Sequence, residues 1–421
     1  MNYKSHQLSN GLRVVLAPLK STETVTVLFL VAAGSKYEIK EENGISHFLE
    51  HIFFKGTSRR PDTLAISETL DNVGGIYNAF TGKEYTGFYI KLAHLHLPLA
   101  LDVLSDMLTN SLFKEEEIER EKGVIAEEIK LYQDTPIAYI DEVFEELLYG
   151  DTPAGWHIIG TEKNITQFKQ ESFINYLKNH YSSRNSLLVI AGKIDSDKTL
   201  KLVEKFFGSY PTQETKDKIK VVEKQEKPEI VVFSKETDQT HLCLGARSFD
   251  MFSKKRHALA LIDTILGGGM SSRLFINIRE RQGLCYYIKS SQESYTDSGY
   301  FVVQAGIHHE NIQKVIKLIK DEFEKIKQDL VSEQELKKAK EHIKGTTLLA
   351  LETSSDIAFF LGRQKLLKDK ISSPEKIFQK IDRITSEDIR NIAQEIFIPK
   401  NLNLALIAPN KDKSLKNTLI F

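Results

Sequence analysis

Tyr89-Ile90-Lys91-Leu92, a long helical stretch and Phe113-Lys114-Glu115 return further along the chain as Phe301-Val302-Val303-Gln304, a second long helical stretch and Val331-Ser332-Glu333. A strand feeding a long helix is one supersecondary unit, and meeting it twice in 421 residues points to internal duplication of an α+β unit. Working outward from the first copy, strands are expected at Leu12–Leu16 and Val25–Ala33, with helices at Ile45–Phe54 and from Pro61 to the stop at Gly74-Gly75. Tyr77–Leu92 reads as strand-rich around a turn at Thr81-Gly82-Lys83, and helices follow from Pro98, over Glu115–Tyr132 and over Pro136–Tyr149. Around the second copy the outline repeats. Strands fall at Glu229–Phe233, His241–Arg247, Tyr286–Ser290 and Tyr300–Ile307; helices fall at Lys255–Leu266, Asn311–Lys327 and Ser332–Leu351, with a loop at Gly267-Gly268-Gly269.

Pro211–Pro228, dense in Lys, Glu, Gln and Asp, separates the halves and reads as a linker with little to bury. The expectation is therefore a domain over 1–210, a linker over 211–228 that permits opening and closing, and a homologous domain over 229–421. Each would be an antiparallel-rich sheet with helices packed on it.

Composition narrows the function. Lys plus Arg is 57 against 58 for Asp plus Glu, a net charge of −1, so no global field recruits nucleic acid or an anionic membrane. Hydrophobic residues at 41% and charged residues at 27% belong to an ordinary globular chain. Cys243 and Cys285 supply neither a disulfide framework nor a thiolate metal site, which favours a reducing compartment. Met1 to Thr24 has no charged head leading into an apolar run, and Val27 to Ala33 is too short to span a bilayer. A cytoplasmic protein without membrane or nucleic-acid partners is expected.

His47-Phe48-Leu49-Glu50-His51 lies in the first predicted helix. Residues i and i+4 share a helical face, so both imidazoles can reach one ion while Glu50 projects beside them. Zinc favours nitrogen ligands and keeps an open position for water when catalytic, and Glu50 would deprotonate that water and return the proton to a leaving amine. A third ligand is sought in the carboxylate-rich helix Glu115–Tyr132, among Glu117, Glu119, Glu121, Glu127 and Glu128. Glu121 and Glu128 stand two turns apart on one side, so that one can bind metal while the other orients a ligand. The remaining acids read as solvated face. His94, His96, His308 and His309 lack grouped acids and read as solvated loop or strand positions, and His157 reads as structural.

The order HxxEH, reversed from the commoner HExxH, is that of the inverzincins. The fuller stretch Gly44-Ile-Ser-His-Phe-Leu-Glu-His-Ile-Phe-Phe-Lys-Gly-Thr57 resembles the pitrilysin/insulinase family, in its mitochondrial-processing-peptidase-like branch at the single-chain length of bacterial members. That resemblance implies a two-domain clamshell, a zinc endopeptidase acting on extended peptides, and one zinc ion per chain. Matching the family motif to Ile118-Glu-Arg-Glu-Lys-Gly-Val-Ile-Ala-Glu-Glu-Ile129 implies Glu128 as the third ligand and Glu121 as the supporting acid, with Glu127 a rival one position away. Gly74-Gly75-Ile-Tyr-Asn78-Ala79-Phe-Thr81 is similar to the family's active-site edge strand, which implies substrate contacts at Asn78 and Ala79 by strand addition. Arg279-Glu-Arg-Gln-Gly-Leu-Cys-Tyr286 resembles the family's Arg–Tyr pair. By that likeness Arg279 would grip a substrate carbonyl and Tyr286 would donate to the developing oxyanion.

The helix Lys255–Leu266 takes the place of the HxxEH helix without its triplet, and laying Glu117 against Glu335 sets Thr346 opposite Glu128. The second half is therefore expected to bind no metal. The resemblance further implies a dimer, either of the chain with itself or with a noncatalytic homologue. The alternative function is a catalytically silent peptide-binding subunit of a processing-peptidase-like complex, distinguished by binding peptides without turnover.

Overall fold

Most strands of the two sheets are covered on both faces, which is why they read as continuous apolar runs instead of alternating ones. The structure, a computed structural model, describes residues 2–409. The first half of the sequence forms β1 (Lys4–Gln7), β2 (Arg13–Pro18), β3 (Thr24–Val31), α1 (Ile45–Ile52), α2 (Thr63–Asp71), β4 (Ile76–Thr81) and β5 (Thr86–Ala93). It continues with α3 (Leu97–Asn110), α4 (Glu115–Gln133), α5 (Pro136–Tyr149), α6 (Glu162–Gln167), α7 (Gln170–His180), β6 (Ser186–Gly192) and α8 (Ser196–Phe207). The second half forms β7 (Glu229–Ser234), β8 (Thr240–Arg247), α9 (Arg256–Leu266), β9 (Cys285–Ser294), β10 (Gly299–Ile307) and α10 (Ile312–Gln328). Then come α11 (Glu333–Leu349), α12 (Ser354–Lys368), α13 (Pro374–Asp382), α14 (Ser386–Ile396) and β11 (Leu402–Ala408). Among the described residues no helix is long and apolar enough to cross a membrane.

Two α+β units result. One gathers the chain up to Lys130 with Trp156–Ile219 and Leu349–Ser373; the other gathers Leu131–Gly155, Lys220–Leu348 and the chain from Pro374 onward. This division differs from a cut at 211–228, because each unit includes a helix from the other half of the sequence.

The first unit is built on a six-stranded sheet in the order β1-β2-β6-β3-β5-β4, antiparallel except where β2 meets β6. Period-two alternation sends Val25, Val27, Phe29 and Val31 of β3 into the larger core with α1, α3 and α7. Leu28 and Leu30 face the other way with Val15 and Val189, onto Ile357, Leu361 and Leu366 of α12. Each of those α12 side chains, taken out of water, stabilises the unit by about 1.5–3 kcal/mol. The second unit carries a five-stranded sheet in the order β7-β11-β8-β10-β9, antiparallel except between β7 and β11. Its main core packs against α9, α10 and α14, while Ile140, Val143, Phe144 and Leu148 of α5 cover Cys243, Val302, Ala405 and Ile407.

The linker expectation needs correction. Residues 211–228 include Ile219, Val221 and Val222, and Val221 packs into the second unit's smaller core. In the first unit Gln213 Nε2 donates to the carbonyls of Leu177, Lys178 and Tyr181; in the second, Gln225 binds Asn403 and Arg247. These side chains take up backbone carbonyls and polar groups near the segment, so it lies along the two units instead of hanging free.

Candidate metal centre

The first unit's helix α1 starts at Gly44, whose φ of +100° suits glycine; a Cβ there would come within 2.7 Å of the Ile159 carbonyl oxygen. Ile45, Phe48, Leu49 and Ile52 then form the buried stripe at i, i+3, i+4 and i+7. That stripe leaves His47, Glu50 and His51 together on the opposite, half-buried face. In α4, Ile118, Ile125 and Ile129 are buried, and Glu121 lies in the same core-facing stripe at 3% exposure.

The two helices bring five of the sequence-derived residues together. His47 Nε2 lies 3.7 Å from Glu128 Oε1, His51 Nε2 lies 3.5 Å from Glu128 Oε2, and the imidazole rings stand 4.8 Å apart. His51 turns its other nitrogen, Nδ1, to Glu121 Oε2 at 3.1 Å, and Lys55 Nζ holds Glu121 Oε1 at 2.5 Å. The Glu50 carboxylate stands beside the cluster with no hydrogen bond or ion pair among the described residues. Glu127 lies outside it, its side chain 75% exposed and paired with Lys130 at 2.8 Å.

The donor set suits zinc. One atom each from His47, His51 and Glu128 lies within 4.8 Å of the others, and no other such group of His, Cys, Asp and Glu occurs among the described residues. Tetrahedral ligands at about 2.0–2.1 Å from zinc sit roughly 3.3 Å apart, close to the Nε2-to-carboxylate separations seen here. The order Glu121–His51 is the carboxylate–histidine arrangement that fixes a ligand's tautomer and orientation.

Electrostatics favour the charged forms of His51, Glu121 and Glu128. Burial works to lower the His51 pKa, but the hydrogen bond to Glu121 and the charges of Glu128, Glu121 and Glu50 raise it above 6.5. Burial works to raise Glu121, while His51 and Lys55 hold it below the usual carboxylate range. Glu128 is lowered chiefly by His47.

The remaining predicted positions are distributed between the units. In the first unit Asn78 and Ala79 lie on the edge strand β4, with Asn78 exposed and its Oδ1 accepting from the Ala79 N–H. Thr81 at the end of β4 donates to the Ser46 carbonyl of α1, which ties the edge strand to that helix. In the second unit Arg279 sits in a six-residue π-helix, Phe275–Glu280, with its guanidinium 4.9 Å from the Phe275 ring centre. Tyr286 is 66% exposed on the edge strand β9. His157 contributes its carbonyl to Asn43 Nδ2, a scaffold contact. His94, expected to lack an acid, has Glu23 Oε2 at 3.3 Å, the same carboxylate that takes Lys193 Nζ at 2.6 Å. Lys55 and Glu38, which hold the corner from outside, escaped the sequence reading. Lys55 follows His51 at i+4, a spacing that could have revealed it.

The sequence model of the insulinase family, peptidase family M16, matches residues 13–162, and that of the peptidase M16 inactive domain matches residues 167–343. The chain is 37% identical to the uncharacterized zinc protease YmxG of Bacillus subtilis over 97% of this chain and 98% of that one. An uncharacterized zinc protease of Rickettsia felis is 35% identical, with 97% and 98% covered. Among solved structures, a protease from Helicobacter pylori superposes with a TM-score of 0.90 at 25% identity, covering 97% of this chain and 99% of that one. A peptidase M16 inactive domain protein from Pseudomonas fluorescens shares the fold, with a TM-score of 0.89 at 18% identity and coverage of 98% and 99%.

Proposed function

The chain belongs to the insulinase family of peptidases, family M16, and from that membership we propose that it is a zinc-dependent endopeptidase cutting extended peptides or unfolded segments. The observation that carries the proposal is the convergence of His47, His51 and Glu128 within 4.8 Å, with the unpaired carboxylate of Glu50 beside them. A zinc ion held by those three residues would supply Lewis-acid polarisation of the scissile carbonyl and make water acidic enough to attack near neutral pH.

The chain's own groups do the rest. Glu121 keeps His51 Nδ1 protonated so that Nε2 offers its lone pair inward. Glu50 takes a proton from the attacking water as its oxygen bonds to the carbonyl carbon, then delivers it to the amine as the C–N bond breaks. The unpaired edge of β4, near Asn78 and Ala79, offers main-chain groups to an extended substrate. By the family resemblance, Arg279 holds a substrate carbonyl and Tyr286 donates to the oxyanion.

The test is metal content together with cleavage of a mixed peptide library by the full chain, beside Glu50→Gln and with a chelator added. The expected result is one zinc per chain, cleavage abolished by chelation, and a loss of at least about 100-fold in Glu50→Gln with zinc retained. Full activity in that variant would overturn the mechanism. Stoichiometric zinc with no cleavage would favour the silent peptide-binding subunit.

A further inference from the structure

Glu38 lies between β3 and α1, in the first unit, at 1% exposure. Among the described residues no cation pairs with it. Its Oε2 accepts from the Gly44 N–H at 2.9 Å and from Asn43 Nδ2 at 3.0 Å, and its Oε1 accepts from the Ser46 N–H at 2.9 Å. Gly44 and Ser46 bracket the start of α1, where backbone N–H groups have no partner within the helix. A buried carboxylate without a counter-cation is costly, and three donors from one short stretch are what offset the cost here. Burial nonetheless pushes the Glu38 pKa up to about 7.

The same turn is fastened from every side. Ser46 Oγ is hydrogen-bonded to Tyr176 OH at 2.8 Å, and the Ser46 carbonyl accepts from Thr81 of the edge strand β4 at 3.3 Å. Asn43 Nδ2 also donates to the His157 carbonyl, and Asn164 Nδ2 donates to the carbonyls of Lys40 and Asn43. Ser46 immediately precedes His47, so a rotation of this turn about the helix axis swings His47, Glu50 and His51 together relative to Glu128.

We infer that Glu38 is a positioning residue for the metal centre: its carboxylate sets the first turn of α1, and through Ser46 keeps the imidazoles and the edge strand β4 in one register. This rests on reading His47, His51 and Glu128 as ligands.

The full chain loaded with Co2+ in place of zinc tests it, because the visible absorption of bound cobalt reports coordination geometry independently of turnover. Glu38→Gln keeps the shape but turns an amide N–H2 toward N–H donors. Its cobalt band is expected to shift and weaken with the metal still bound. On a peptide chosen from the mixed library, kcat is expected to fall about 10–100-fold with KM within about threefold of wild type, the size of effect seen for outer partners of metal ligands. Glu38→Asp, which keeps the charge on a shorter arm, should fall between; it carries the test by the same criteria if Glu38→Gln gives no soluble protein. Cobalt bands superimposable on wild type, with kcat within about twofold, would overturn the inference whatever happens to the Tm. A wild type that binds no cobalt would instead overturn the ligand reading, and this inference with it. A wild type that binds cobalt but cleaves nothing would overturn the endopeptidase reading alone, and the cobalt band would still decide the role of Glu38.

Discussion

Between α1 and α4 the first unit gathers two imidazoles and two carboxylates; on α11 the second unit instead sets Glu335 against Arg273 in a two-bond pair at 2.9 and 2.7 Å, with Lys338 Nζ on the Ser271 carbonyl. With Glu117 laid on Glu335, Ala339 stands where Glu121 is and Thr346 where Glu128 is. Ala339 is buried, and the Thr346 hydroxyl bonds back to its own helix at the His342 carbonyl. In the second unit neither aligned position carries an acid, and the ion pair on α11 forms one turn away, at Glu335. An ion pair suffices to hold a scaffold, whereas a cluster of three ligands and an orienting acid is needed to hold an ion.

The comparison can be broken most directly by writing the second unit's residue into the first. Glu128→Thr should weaken zinc binding by more than about 100-fold, beyond the range of an outer partner, and abolish peptide cleavage; metal analysis after dialysis checks it. Tyr286→Phe probes the second unit's own contribution. It should lower kcat about 100-fold, as loss of an oxyanion donor does, with zinc content unchanged in the same assay.

Glu121→Ala copies Ala339 and should weaken zinc binding about 10–100-fold by releasing His51 and Lys55. It also carries a pH signature. In the ion-free chain His51 has its pKa raised above 6.5, so its protonated form contributes stability below 6.5 that is lost as pH rises through the raised value. That proton competes with the ion, so zinc affinity falls as pH falls through this region. Removing Glu121 lets the His51 pKa drop, and the onset of proton competition should move to lower pH in a zinc titration series. The smallest effect is expected from Thr346→Glu, which should gain no zinc at all, because α9 offers no imidazole pair to complete the set. Stoichiometric zinc in that variant would mean that the second corner lacks only a carboxylate.

Much of the candidate site was legible because helical spacing alone sets His47, Glu50 and His51 on one face. Pro136 likewise marked the start of α5, and Gly74-Gly75 the stop after α2. Choosing Glu128 over Glu127 needed the family motif, since adjacent acids on one helix differ by only about 100° in direction. Glu38 was hidden for a related reason: beside Glu41 and Glu42 it looks like another surface acid, and nothing in its own stretch of sequence tells that it is buried against the start of α1, bonded to Asn43, Gly44 and Ser46. The sequence expectation places no strand at β6 or β11, although their short apolar runs, Ser186–Gly192 and Leu402–Ala408, carry the signal of doubly covered strands. The destinations of α5 and α12 could not be read, because periodicity tells which face of a helix is apolar and not which sheet will receive it.

That exchange of helices has a consequence for biosynthesis. The first sheet is complete once Gly192 has been made, yet the helix that covers Val15, Leu28, Leu30 and Val189 begins at Ser354, about 160 residues later. At about 5–20 residues per second, that apolar face waits roughly 10–30 s on the ribosome for its cover. A nascent chain in that interval is the species most exposed to aggregation and to chaperones, and a stop codon anywhere before α12 leaves it so permanently.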